Sequence, residues 1–194
     1  MTHLMRRPAL RGRRLAVATT VTRMPELIAP TTDLHAAFLD CHREWGPGLH
    51  EDGFGVGPDD DVETPEGFAT WVGRRLHLDH PVGTPCPPEW HASCRWIVED
   101  GRVLGGIALR HHFDAARGYI GYGVRPSARR RGLASWALGE MLAEARAALG
   151  VDRVLLVCAP DNVASARTIE RAGGVFDGIR VTELGPTRFY WATP

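Results

Sequence analysis

Several features are missing from this 194-residue chain, and each absence excludes a class of protein. It has no net charge, with 23 basic and 23 acidic residues. A balanced chain of this kind is not a general binder of nucleic acid or anionic membrane surfaces. No apolar run approaches the roughly 20 residues that a bilayer-spanning helix needs. The four cysteines, Cys41, Cys86, Cys94 and Cys158, show no CxxC spacing, which argues against a zinc ribbon or a redox dithiol and suits reduced thiols in a cytoplasm. No internal repeat is visible. What remains is an ordinary apolar and charged composition in a length that favours one domain with a sizeable core.

Residues 1–23 differ from the rest: they are Arg-rich, acid-free and without periodicity, and a regular pattern begins at Met24. They are expected to be a disordered leader, or the product of an upstream start codon, ahead of one domain over residues 24–194. A nucleic-acid-binding arm through Arg6 to Arg14 is the rival reading.

Glu26 to Ala29 is predicted as a first short strand. Thr31-Thr32-Asp33 supplies an N-cap for a helix with Leu34, Phe38, Leu39 and Trp45 on one face. Gly46 to Pro65 reads as a loop, and Glu66 to Leu78 returns to helical spacing through Phe68, Trp71, Val72 and Leu76. His77, His80, Cys86, His91 and Cys94 cluster in sequence, but their spacings match no common zinc pattern and the prolines among them suit a rigid connector, so no metal is expected. Arg95 to Glu99 and Arg102 to Arg110 form a hairpin about Asp100-Gly101. His111 to Gly118 is a polar loop, and Tyr119 to Arg125 the next strand. Apolar residues from Leu133 to Leu149 recur at helical spacing up to Gly150. Val154 to Cys158 is a continuous apolar run that suits a buried strand, reached by a strand–helix–strand crossover and so parallel to the strand before it. Asp161-Asn162 caps a short helix ending at Gly173-Gly174, and strands Val175 to Leu184 and Arg188 to Ala192 close the sheet.

The stretch from Gly121 to Ala134 organises the chain: a strand stopped by Pro126, a basic loop of Arg129, Arg130 and Arg131, and a helix opening at Gly132. The first N–H groups of a helix lack intrahelical partners and carry the positive end of its dipole. A phosphate placed there answers both deficits, Gly132 allows close backbone approach, and the arginines add charge-assisted donors.

The spacing Arg129-x-x-Gly132-x-Ala134, preceded by Val124-x-Pro126, resembles the coenzyme A pyrophosphate loop of the GNAT superfamily of acetyl-CoA-dependent N-acetyltransferases. The resemblance implies an α/β (α+β) GNAT fold: a central, mixed, mostly antiparallel twisted sheet with one splayed parallel strand pair, flanked by helices. It implies acetyl-CoA as co-substrate and no metal. Carried over residue by residue, the backbone of Tyr122, Gly123 and Val124 would pair with the pantetheine arm, and Val124 N–H would polarise the thioester carbonyl as an oxyanion-type donor. Arg129, Arg130, Arg131, Gly132, Leu133, Ala134 and Ser135 would hold the pyrophosphate. Asn162 and Ser165 would meet the pantetheine amides, although Asn162 also reads as a plain N-cap.

Many members place a catalytic Tyr on the last helix, where this chain has Ile169. Tyr122 and Tyr119 are the nearest phenols for a general acid, and both also read as packed strand residues. Glu51 is the favoured base or counter-charge for a cationic amine, with Asp52, His111 and His112 as alternatives and a solvated loop carboxylate as the bland reading of Glu51. Arg110 could bind an acceptor carboxylate. The expected activity is acetyl transfer to a primary amine of a small molecule by a cytoplasmic monomer or homodimer, with no nucleic-acid or membrane partner. Protein amino groups are the rival acceptors, and a non-catalytic coenzyme-binding homologue the rival class.

Overall fold

The hairpin at Asp100-Gly101 forms with both turn residues at positive φ, 50° and 73°, the conformation whose twist matches that of flanking strands. In the computed structural model, which describes residues 24–46, 53–78 and 92–194, this hairpin joins β2 (Ala92–Glu99) to β3 (Arg102–Arg110). β1 (Glu26–Ile28) and β4 (Ile120–Val124) flank it, giving an antiparallel sheet ordered β1-β2-β3-β4. The leader 1–23, Glu51, Asp52, His80, Cys86 and His91 lie outside the described residues.

Two helices cover one face of that sheet. Thr31 Oγ1 accepts from Asp33 N–H at 3.3 Å, but the cap opens a 3₁₀ turn, Thr32–Leu34, and α1 (His35–Glu44) follows it. α2 spans Pro65–Leu78. Phe38, Phe54, Phe68, Trp71, Trp96 and Val103 form a buried aromatic-rich cluster between α1, α2 and the sheet. Trp45, expected on the apolar face of α1, instead sits at its C-terminus against Arg129, and Leu76 is exposed.

The other face packs on α3 (Leu133–Leu149) through Ile97, Leu104, Ile107 and Ile120 against Leu138, Met141 and Ala145. α3 begins at Gly132 and stops at Gly150 (φ 62°), whose N–H reaches the Arg146 carbonyl at 3.1 Å. The same core continues through β5 (Val154–Cys158), α4 (Val163–Arg171) and the last strand.

β6 (Val175–Thr182) and β7 (Gly185–Ala192) make a second antiparallel sheet with β5, ordered β5-β7-β6. The two sheets meet at β4 and β5, the strand pair expected to run parallel and splay. At the base of that pair Tyr119 N–H donates to the Leu155 carbonyl at 2.9 Å, and among the described residues no ladder joins the strands above it. No described helix is long and apolar enough to cross a membrane.

Acid should destabilise this fold. Burial alone would push the carboxyls of Asp60 and Asp114 up, but hydrogen bonds from Gly57 N–H and Arg74, and from Arg117 and Ala116, leave both below the usual carboxylate range. Groups depressed in the folded state contribute stability that is complete above about pH 5 and lost as pH falls below about 4. The melting temperature is therefore expected to fall as pH is lowered through and below about 4. A flat thermal profile across that range would contradict the assignment.

Candidate active site

β4 is the edge of its sheet on the side facing β5, and its register decides which backbone groups face the gap. Arg125 N–H donates to the Leu104 carbonyl at 2.8 Å, and antiparallel neighbours alternate between bonded and non-bonded pairs. Counting back through Val124↔Gly105, Gly123↔Gly106 and Tyr122↔Ile107, Gly123 bonds to β3 while Tyr122 and Val124 do not. Their N–H and C=O groups turn away from β3 toward the gap. The Val124 carbonyl is met there by Arg129 Nε at 2.9 Å, which leaves the adjacent Val124 N–H as a donor on the open edge.

Beyond Val124 the chain makes a 3₁₀ turn at Pro126–Ala128 and passes through the left-handed region at Arg130 (φ 63°) and Gly132 (φ 81°) before α3 starts. A Cβ at Gly132 would meet no atom within 4 Å. The restriction to glycine is thus conformational, and the space in front of Gly132 is open. Leu133 is buried in the core and anchors the helix start; the N–H groups of Leu133, Ala134 and Ser135 belong to the unpaired first turn. This arrangement fits a pyrophosphate: a 17-residue helix presents free N–H groups and its positive end to open space.

The three arginines occupy different environments. Arg129 lies over the Trp45 ring at 5.0 Å while its Nε holds the Val124 carbonyl. Arg131 pairs with both carboxylate oxygens of Glu99 at 2.7 Å. Arg130 is exposed, with no protein partner among the described residues, and is the guanidinium most available to an anion.

Across the gap, α4 contributes Asn162 and Ser165. Asn162 Oδ1 caps the helix by accepting from Ser165 N–H at 3.0 Å. Its amide NH₂ is a separate donor, so the cap and a ligand contact are compatible. The Tyr122 hydroxyl reaches Ser165 Oγ at 2.9 Å, so β4 and α4 are bridged by the two side chains carried over as site residues. Ile169 is buried in the core, and a Cβ on Gly174 would fall 2.4 Å from its Cγ2. This position is filled by packing and offers no acid.

The other candidates are placed as follows. Tyr119 packs on the core and against Phe113 at 5.9 Å. His111 Nε2 and Ser93 Oγ are 2.9 Å apart. Arg110 donates to the carbonyls of Arg117 and Gly118 at 3.3 and 3.4 Å, within its own loop. His112 lines a cavity of about 660 Å³ with Phe113, Asp114, Arg180 and Phe189, where Arg117 bridges Asp114 to Glu183 of the facing hairpin. Among the described residues no three His, Cys, Asp or Glu side chains are grouped to hold a metal ion.

Sequence reasoning missed the set at the end of α1: Asp40, Glu44 and Trp45 meet Arg125, Ser127 and Arg129. The partners are more than 80 residues apart and leave no local signal. It also missed Gly53 (φ 76°), packed so closely on the sheet that a Cβ would fall 2.0 Å from the Gly106 carbonyl oxygen and 2.9 Å from Gly123 N.

The family profile described as "Acetyltransferase (GNAT) domain" matches residues 33–175. The fold is similar to that of an acetyltransferase from Salmonella typhimurium that modifies the N-terminal serine of 50S ribosomal subunit protein L7/L12. The TM-score is 0.63 at 17% identity, covering 90% of this chain and 96% of that one. Ribosomal-protein-S5-alanine acetyltransferase from Vibrio fischeri superposes with a TM-score of 0.66 at 14% identity, over 89% of this chain and 96% of that one. The microcin C7 self-immunity acetyltransferase MccE, solved with acetyl-CoA and AMP, gives 0.64 at 15% identity, over 88% and 92%. No curated protein sequence matches the chain.

Proposed function

Since the chain belongs to the GNAT acetyltransferase family, we propose that it moves the acetyl group of acetyl-CoA to a primary amine of a small molecule by direct attack on the thioester. The observation that carries this reading is the β4 edge at Val124, whose N–H turns away from β3 toward the gap between the α3 N-terminus and the first turn of α4. Acetyl-CoA, when bound, supplies a thioester whose C–S bond breaks as the C–N bond forms, the proton of the amine being taken by a base and the thiolate receiving one.

The residues divide that work between them. Tyr122, Gly123 and Val124 form the pantetheine strand, with the Val124 N–H as a fixed donor to a carbonyl oxygen gaining negative charge. Asn162 and Ser165 face it. Arg129 steadies the strand end, and Arg130, Arg131, Gly132, Leu133, Ala134 and Ser135 make the anion site. Tyr122 is the proton donor, its hydroxyl oriented by Ser165 Oγ.

Glu51 is the proposed base. It lies outside the described residues; a carboxylate there would take the amine proton or attract a cationic amine. Glu51→Gln and Tyr122→Phe are each expected to lower kcat by about tenfold or more, with coenzyme affinity unchanged in calorimetric titration. Unchanged turnover at saturating and limiting amine would remove the residue from the chemistry.

Protein amino termini are the second reading of the acceptor, favoured by two of the three compared structures, which are named as acetyltransferases of ribosomal proteins. The deciding experiment incubates the enzyme and acetyl-CoA with a panel of small amines and with ribosomal-protein N-terminal peptides, then measures thiol release and acetyl mass gain. Transfer only to peptides would replace the small-molecule reading. Coenzyme binding without transfer to any acceptor would point to a binding protein, the class suggested by Ile169.

A further inference from the structure

α1 ends against the loop from which α3 begins, and the contact is ionic. Arg125, the last residue before the Pro126 turn, is only 4% exposed. Its guanidinium donates to Glu44 Oε2, to Asp40 Oδ2 at 2.7 Å and to the Val103 carbonyl at 3.3 Å. Glu44 accepts twice more, from Ser127 N–H and from Ser127 Oγ at 2.9 Å. One carboxylate therefore gathers donors from both residues that flank Pro126.

These bonds outweigh the cost of placing the carboxylate there. Burial alone would push the Glu44 carboxyl up, yet the Ser127 and Arg125 hydrogen bonds leave it below the usual carboxylate range. The next residue, Trp45, underlies the Arg129 guanidinium. The ties hold the loop at Arg125, Ser127 and Arg129, whereas Arg130 and Gly132, which shape the open space before α3, have no such support. A loop fixed on one side and open on the other is prepared for a ligand in advance, and preorganisation of this kind raises affinity without touching the ligand.

We propose that Glu44 is a positioning residue for the coenzyme, the α1 carboxylate holding the Arg125–Ser127 turn so that the backbone ahead of α3 stands ready for the pyrophosphate. This rests on the acetyl-CoA reading of the site. Because the contact acts on the pyrophosphate loop and leaves the β4 edge alone, its removal should be felt by coenzyme A and not by pantetheine, which lacks the pyrophosphate.

The test compares wild type, Glu44→Ala, Glu44→Gln and Ser127→Ala by calorimetric titration with coenzyme A, by competition with pantetheine and by thermal melting. Glu44→Ala is expected to weaken coenzyme A by about tenfold, the loss of a charge-assisted contact, with pantetheine unchanged. Glu44→Gln, which keeps an acceptor for Ser127, should recover part of that loss, and Ser127→Ala should lose about two- to threefold. If Glu44→Ala does not fold, the other two variants carry the comparison. Equal weakening of both ligands would mean a general structural role and overturn the proposal, as would no weakening of coenzyme A. Failure of the wild type itself to bind coenzyme A would instead remove the underlying reading, and the proposal with it.

Discussion

Gly132→Val is expected to show no measurable coenzyme A binding in calorimetric titration while remaining folded. Gly132 sits at φ 81°, a region a β-branched residue enters only with strain. Keeping that backbone would cost about 1–3 kcal/mol of stability. For a domain of this size that lowers the melting temperature by roughly 2–10 °C. A Cβ there has nothing within 4 Å, so the added side chain projects into the space assigned to the pyrophosphate. If the loop instead relaxes to negative φ, the N–H groups of Leu133 and Ala134 turn with it and the anion site is lost by another route. Either way affinity should fall by more than about a hundredfold, or ~2.7 kcal/mol, exceeding the stability loss in most of its range. Gly132→Ala should fall between the two. Wild-type affinity in a folded Gly132→Val protein would sink the pyrophosphate assignment and the acetyl-CoA reading built on it.

Phe38→Ala should produce the largest stability loss, about 3–5 kcal/mol. The Phe38 ring is fully buried and lies 5.0–5.6 Å, centroid to centroid, from Trp71, Phe68, Phe54, Trp96 and His42. Its removal leaves a cavity bounded by rigid rings that cannot collapse into it. The melting temperature should drop by roughly 6–20 °C, and Phe38→Leu by much less. Because α1 also carries Asp40, Glu44 and Trp45, coenzyme affinity should weaken as the helix loosens, even well below the new melting point. A melting temperature within about 2 °C of wild type would show that α1 contributes little to the core.

Much of this architecture is legible in the sequence wherever the signal is local. The bounds of β3, α3 and β5 follow from the Asp100-Gly101 turn, from Gly132 and Gly150 at either end of one apolar periodicity, and from an uninterrupted run at Val154–Cys158. Each depends on residues within a few positions of one another, where backbone sterics and capping act directly. The strand, turn and glycine-opened helix of the anion site are local in the same sense, and so a linear pattern is enough to reveal them.

Tertiary structure alone decided what depends on distant partners. Thr31 has the sequence context of a helix cap and instead opens a 3₁₀ turn. Trp45 has the spacing of a core residue and became the support for Arg129. Of three neighbouring arginines, one was claimed by Glu99, one by Trp45 and the Val124 carbonyl, and one left to solvent. Nothing in the basic run distinguishes them, because the Trp45 ring and the Glu99 carboxylate that separate them come from distant parts of the chain. The insertion of β7 between β5 and β6, and the meeting of two sheets at Tyr119 and Leu155, likewise join segments far apart in the chain and have no local signal. Local propensity determined which segments become strands and helices; burial of their faces against remote partners determined which backbone groups of β4 turn away from β3 toward the gap, and that orientation is what makes the site.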